Sequence, residues 1–547
     1  MPQGWSVNGT TDQITFLEAP AAGTNNIVVK EFPSGGKNAT DVWAIGAWSD
    51  KYGYPSEVEF FSDRLVFAGT PSQPQTLWFS KAGNYRDFGR SQPILDDDSI
   101  AATINARQVN AVKDLLPLDK LIIMTAGGEW ETGTGDGDVL TPTTIAFKPQ
   151  TYHGSSGVPA LVIGDVGLHV QRGGKVVRTL GYQFERDGYR GNDITVFSSH
   201  LFEGRQIVEW DYAQTPLSVV WAVRDDGTLL ALTFLLEQEV IGWTPMEIDG
   251  SVESVCCIPE GTEDVLYAVI KRTVGGAEKR YIERLSTRTV EDIREATFLD
   301  SFLTYDGRNT GATTMTATGA SWDVGDQVTL TASASTFAGT DLQDVIVLGY
   351  GAGLNVRLRI TGYTSATVVT AEIDTPVPAA YRGVATTDWG FARDSISGLD
   401  HLEGRTVGIL CDGRVQDERV VASGAITLDE PGVLVHVGLP YVADFETLEV
   451  NLPGGESPRL NTKLIKRLGL IVKDTRSIRA GPDFDHLDEY ESRDVVTDMA
   501  APPALQQDLV EMWIQGDWSQ RGRVCVRQAD PLPMTILAVI PDYEFGS

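Results

Sequence analysis

The sequence predicts an all-β protein: a degenerate β-propeller followed by additional β-sandwich or barrel-like domains. Three observations predict it. Short runs rich in Val, Ile, Leu and Thr alternate with Gly- and Asp-bearing turns, the composition that fits pleated strands and tight reversals. The apolar strand centres recur about every 45 to 57 residues between Trp43 and Leu285, near the ~40–50 residues of a four-stranded propeller blade. Long amphipathic helical periods are nearly absent.

Length sets the scale of the molecule. A chain of 547 residues exceeds what one hydrophobic core organises, and roughly three or four domains are expected. With 42% hydrophobic and 22% charged residues it has the composition of a folded globular protein. The 56 glycines and 26 prolines favour turn-rich β structure.

Residues 1–42 are polar and Gly/Ala/Asn-rich and read as an N-terminal arm, with one strand candidate at Ile27-Val28-Val29. Residues 43–300 carry the repeated strand–turn units of the propeller-like domain. Asp63-Arg64-Leu65-Val66-Phe67 opens the first unit, with a charged pair entering an apolar strand. Leu118-Asp119-Lys120-Leu121-Ile122-Ile123-Met124 repeats that pattern and ends in AGGEW. The charged pair is expected at the rim of a blade, where the Arg serves as a hydrogen-bond donor to backbone. Ala160–Ile163 and Gly167–Val170 follow, then the hairpin signal RGGK.

SVVWAVRDDGTLLALTF predicts a hairpin reversing at Asp226-Gly227, where positive φ is tolerated. The last unit runs from Asp264–Ile270 through Val274-Gly275-Gly276 to Arg280–Glu283. Residues 301–395 are Thr/Ala/Gly-rich with few charges and predict a small inserted β module. Residues 396–547 form a third, C-terminal β-rich domain, with a helix predicted over part of Ala504–Trp513 (ALQQDLVEMW).

The net charge of −31 argues against a broad adhesive surface for nucleic acid, whose usual footprint is a basic patch. It fits solubility, or a surface that stays near nucleic acid without sticking to it. Cys256, Cys257, Cys411 and Cys525 have neither the spacing of a disulfide framework nor that of a zinc site, and all four read as buried reduced thiols. No run approaches a membrane span, and MPQGWSVNGTTD lacks the pattern of a signal peptide; a soluble protein made in a cytoplasm is expected.

Motifs of chemistry are weak. Gly349-Tyr350-Gly351-Ala352-Gly353 superficially resembles a dinucleotide loop, but LNVRLRITGY after it alternates like a strand and offers no helix N-terminus for phosphate. Gly133–Asp138 (GTGDGD) lacks the spaced ligands and bidentate Glu of an EF-hand and reads as a hairpin tip. Asp96-Asp97-Asp98 and the seven carboxylates from Asp483 to Asp498 read as solvated or field-setting faces. His153, His169, His200, His401, His436 and His486 form no HExxH and flank no GxSxG elbow; His169 and His436 read as satisfied core or interface residues. The expectation is therefore no catalytic, cofactor-binding or metal-binding residue, no cofactor, and no enzymatic activity.

One resemblance is carried by several segments in order. WSDKYGYPSEVEFFSDRLVFAGTPSQPQTLWFSKAGNYRDF resembles the tail tubular, or nozzle, proteins of short-tailed bacteriophages. TAGGEWET, LGYQFERDGYRGNDITVFSSHLFE, TPLSVVWAVRDDGTLLALTFLLEQEVIGW, GAITLDEPGVLVHVGLPYVADFETLEV and RGRVCVRQADPLPMTILAVIPDYE are similar to later segments of the same family. The likeness covers roughly 43–300 and 396–547, and 301–395 looks like the family's variable insert. The long, Arg-rich N-terminal region usual in the family is nearly absent here.

The resemblance implies a structural virion protein of the phage tail, assembled in the host bacterial cytoplasm. It would form a homo-oligomeric ring, expected to be a hexamer, below the portal and adaptor. Tail adaptor and tail fibre or spike proteins are its implied partners. Double-stranded genome DNA would pass through its channel during ejection without sticking, and some of Asp96–Asp98 and Asp483–Asp498 are expected to face that channel. The alternatives are a host-receptor-binding tail protein, with 301–395 contacting the host surface, or a polysaccharide-depolymerising tail enzyme.

Overall fold

The computed structural model describes residues 5–8, 13–16, 46–134, 139–349, 355–450, 461–490, 504–516 and 518–546. Ile27–Val29 lie outside them. The protein is all-β: the described residues form strands joined by turns and a few 3-10 turns. The chain divides into two compact units, residues 1–212 with 232–243, and residues 213–231 with 244–547.

The first unit contains three four-stranded antiparallel meanders in which chain order and spatial order coincide. The first is Glu57–Phe61, Arg64–Ala68, Thr76–Phe79 and Ile100–Thr103. The second is Val112–Pro117, Leu121–Thr125, Gly128–Gly133 and Ala146–Thr151. The third is Leu161–Ile163, Val166–Val170, Val177–Gln183 and Gly188–Arg190. Inner strands such as Thr76–Phe79 and Leu121–Thr125 are buried along their whole length. They therefore read as continuous apolar runs, where a strand with one wet face would alternate. Meanders of this kind, following one another along the chain, give the fold its propeller-like character. A further hairpin, Trp5–Asn8 with Gln13–Phe16, pairs antiparallel.

The strands Ile207–Ala213, Val219–Arg224, Leu229–Leu235 and Val240–Met246 come next in the chain, and the division between the units falls within them. Strands that open successive groups start at residues 57, 112, 161, 207 and 251, so the period shortens steadily from 55 to 44 residues. The expected turn at Asp226-Gly227 is present. Gly227 has φ +82° and packs so close to Ser251 that a Cβ there would overlap the serine side chain.

The second unit holds a three-stranded meander, Ser251–Glu260, Glu263–Val274 and Ala277–Arg284. A four-stranded sheet pairs Asp300–Asp306, Leu434–Leu439, Thr406–Cys411 and Arg414–Val420. An eight-stranded sheet uses strands from Met315–Thr318 to Trp389–Ser397 and adds Ala425–Gly432 at its edge. Two smaller sheets follow, one built on Cys525–Gln528 and the other on the long Lys463–Thr475 strand.

The helix predicted over Ala504–Trp513 is a strand, Gln506–Trp513, paired with Lys463–Thr475. ALQQDLVEMW spaces its apolar residues so that both periods fit. The partner strand decides, turning Val510 and Met512 inward and leaving Leu509 and Trp513 exposed. None of the four cysteines is in a disulfide, but not all are buried as expected: Cys411 and Cys525 are, while Cys256 is exposed and Cys257 partly so. Ser251–Glu260 lies at the edge of its sheet, and Cys256 is on its outward side.

Candidate functional site

The charged pair that opens the first meander is placed by a two-residue reversal. Phe61 and Arg64 are paired across the strands, and Ser62 and Asp63 both adopt positive φ, the geometry of a primed hairpin turn. Arg64 does not sit at an exposed rim. It is 2% exposed and acts as a hub for backbone oxygens. One terminal nitrogen donates to the carbonyls of Ser80 and Asp98, each at 2.7 Å, and the other to Asp96 at 3.0 Å. Burial pulls the guanidinium's pKa down, and Asp97 and Asp98 act the other way. The donor role expected of this residue holds, but its site is the interior, because three carbonyls of the Asp96–Asp98 turn need partners there.

The three aspartates part company. Asp96 and Asp97 are exposed. Asp98 is fully buried and accepts from the Leu95 N–H at 3.0 Å, the Ser91 N–H at 2.8 Å and the Ser91 hydroxyl at 2.9 Å, with the Lys81 ammonium at 3.1 Å. The Leu95 N–H, the Ser91 groups and Lys81 hold its carboxyl well below the usual range. A carboxylate so occupied projects little field into solvent, so Asp98 is withdrawn from the channel-facing set.

Of the acidic run, Asp483, Asp485, Asp488 and Glu489 are described; the carboxylates from 491 to 498 lie outside the described residues. Asp483 caps its own turn, accepting from the Asp485 and His486 N–H groups and from His486 Nδ1, each within 3 Å. Asp488 accepts from the Gln515 N–H at 2.9 Å. Asp485 is exposed at the turn.

His436 is a satisfied interior residue, as its sequence context implied. Nδ1 meets the Thr304 hydroxyl at 2.8 Å and Nε2 the Arg294 carbonyl at 2.9 Å. His169 differs. It is 1% exposed and its Nδ1 has no hydrogen-bond partner. Burial, then Arg178 and His153, push its pKa down to about 4, so the ring is neutral near pH 7. Glu129 and Glu131, both buried on Gly128–Gly133, were not singled out by the sequence. Glu129 is met by the Thr151 hydroxyl and Glu131 by Lys120 at 3.3 Å.

Gly349 ends the Val345–Gly349 strand and pairs with Asn355, which opens the antiparallel strand Asn355–Ser365. Residues 350–354, like Gly135–Asp138, lie outside the described set. Among the described residues, no group of three or more His, Cys, Asp or Glu side chains is arranged to hold a metal ion.

A cleft of 650 Å³ lies in the second unit. The Asp226-Gly227 turn, the Pro245–Gly250 segment, Asp300 and the Leu439–Val442 segment line it. Three anchors fix its walls. The Val252 N–H donates to the Gly227 carbonyl at 2.9 Å. Arg405 is paired with the Asp249 carboxylate. Arg272, 4% exposed, grips Glu283 at 2.7 and 2.8 Å while also donating to the Asp249 carbonyl. Burial raises the Asp300 carboxyl to about 6, against the opposing pull of Arg272 and with support from Glu283 and Asp249. Burial and then Asp300 push the neighbouring Tyr441 phenol up to about 12. No motif marked this site, because its residues meet only in the fold.

No protein-family model matches the chain and no curated protein matches it. Among solved structures it is similar to the GH32 β-fructofuranosidase BmSUC1 of Bombyx mori, at 11% identity over 70% of this chain and 91% of that one, with a TM-score of 0.17. The expectation of no enzymatic activity is withdrawn, since the matched structure is that of an enzyme, and a likeness of this degree shows no activity in this chain. At that TM-score the likeness assigns neither a substrate nor a catalytic residue to this chain.

Proposed function

We propose that the chain is a structural protein of a short-tailed phage tail, a nozzle component whose acidic surface lets genome DNA pass. The observation that carries the proposal is the net charge of −31, joined to the ordered set of tail-nozzle-like segments. DNA presents one negative charge per ~1.7 Å of duplex axis, and a basic wall would hold it. A wall of carboxylates repels phosphate, and repetition around a ring multiplies the potential.

The geometry supports this reading at one place in particular. Asp96 and Asp97 are exposed on a turn whose carbonyls are clamped by the buried Arg64. A carboxylate on a clamped turn holds its position, so its field falls consistently on whatever passes. Asp485 is a further exposed carboxylate, on a turn capped by Asp483.

The test is charge reversal in assembled particles. D96K/D97K combined with D485K is expected to slow DNA ejection while tails still assemble. D98K is expected to fail earlier, at folding, because it places a cation beside Lys81. Unchanged ejection kinetics in assembled D96K/D97K/D485K particles would contradict the proposal.

A further inference from the structure

The cleft of the second unit has the lining of a ligand site that the conduit reading does not use. Its volume of 650 Å³ falls in the range of small-molecule pockets, ~300–1,000 Å³. Its wall carries the carboxylates of Asp226, Glu247, Asp249 and Asp300 against the single guanidinium of Arg224. Between them lie apolar faces from Leu229, Met246, Ile248, Leu439, Pro440 and Val442.

The internal pairing leaves an opening of defined chemistry. Asp226 is matched by Arg224, whose Nε lies 3.0 Å from its carboxylate, and Asp249 is matched by Arg405. Arg272 is turned to Glu283 and makes no ion pair with Asp300. Asp300 and the Tyr441 hydroxyl, both half-buried, therefore face the cleft without a hydrogen-bond partner among the described residues; Glu247 is exposed and likewise unpaired. A half-buried carboxylate and phenol left without protein partners present an acceptor and a hydroxyl to a ligand.

We infer that this cleft binds an aliphatic ammonium group, with the cation on Asp300 and Tyr441 and its methylene stem along the Met246, Ile248 and Pro440 wall. An ammonium is a compact donor carried on a flexible apolar stem, which suits one open carboxylate set beside hydrocarbon. Anionic ligands are opposed by the lining charge. The ammonium comes either from a free alkylamine or from a lysine side chain of another protein, and the two arms of the test separate these sources.

Titration calorimetry on the full chain near neutral pH, with cadaverine in one arm and Nα-acetyl-lysine methylamide in the other, tests the inference. Saturable binding in either arm is expected, and which arm binds identifies the source. D300N preserves shape and removes the charge; a loss of affinity of about tenfold or more is expected, with a smaller loss for Y441F. Circular dichroism shows whether each variant is folded. The groups around Asp300 are Arg272, Glu283, Asp249 and Tyr441, with Arg288 beyond the phenol. Binding requires the carboxylate, so affinity falls as pH drops through about 6. No saturable binding in either arm, or equal affinity in folded D300N, overturns the inference. The conduit reading does not depend on the result, which leaves ejection kinetics untouched.

Discussion

Two regions of this protein solve the burial of β structure in opposite ways. The meanders between residues 57 and 213 bury many polar and charged side chains, among them Arg64, Asp98, Glu129, Glu131 and His169. The eight-stranded sheet centred on 315–397 has a core of sixteen hydrophobic residues, from Met315 to Trp389, and among the described residues between those positions no polar or charged side chain is buried. In the eight-stranded sheet the ladders themselves satisfy the backbone, since every strand but the two outermost is paired on both sides. In the meanders short strands leave corners where carbonyls and N–H groups point inward without a ladder, and side chains complete them. Charge enters these interiors as a consequence of many short strands, and it leaves them sensitive to pH and to single substitutions.

That contrast can be broken most directly at Arg64. R64M keeps the apolar stem and removes the donors to Ser80, Asp96 and Asp98. Leaving several buried carbonyls without a partner is expected to cost about 4 kcal/mol or more, read as a fall in the melting midpoint or a loss of soluble protein. A change comparable to a surface substitution would remove Arg64 as the organiser of that corner.

The apolar counterpart is Leu358, fully buried in the eight-stranded sheet. L358A is expected to cost about 3 kcal/mol through the cavity it leaves, and this loss should not vary with pH. The pairing of a pH-independent loss here with pH-dependent behaviour in the meanders is the sharper form of the comparison.

The pH dependence follows from His169. Its folded pKa, about 4, lies below the ordinary value of about 6.5. Below pH 6.5 the unfolded chain binds a proton that the folded chain does not, so stability falls as pH drops from about 6.5 towards 4. The loss from this residue is roughly 3 kcal/mol by the lower end, and H169F should remove that part of the slope in denaturant titrations. Asp300 works in the other direction. With its folded pKa raised to about 6, its contribution is full below the ordinary carboxylate range and is lost as pH rises through 6. The smallest effect is expected at the exposed Arg280–Glu253 pair of the Ser251–Arg284 meander: R280A should leave the melting midpoint where it was, because solvent screens the pair.

How much of this could be read in the chain differs between the same two regions. NVRLRI, VVTAEI and QVTLTA alternate in the sequence and alternate in burial, so the eight-stranded sheet is legible strand by strand. The continuous apolar run LIIMT is legible as a strand covered on both faces. The burial of Arg64 is not legible, because its partners lie 16 to 34 residues away and are backbone oxygens, which carry no side-chain signal. Asp96, Asp97 and Asp98 are the same letter three times, and only the Ser91–Leu95 turn separates the buried one from its neighbours. ALQQDLVEMW fits two periods, and the choice rests on the Lys463–Thr475 strand, more than thirty residues earlier. The cleft is the extreme case: Asp226, Glu247, Asp300 and Tyr441 share no local pattern, and topology alone joins them.

The proposal that the chain is an acidic conduit is tested most directly by electron microscopy of tails containing it, resolved well enough to place its side chains about the tail axis. The account predicts a closed axial ring of this chain, with Asp96, Asp97 and Asp485 on the channel wall. A chain off the axis, or a channel lined by lysines and arginines, would contradict it.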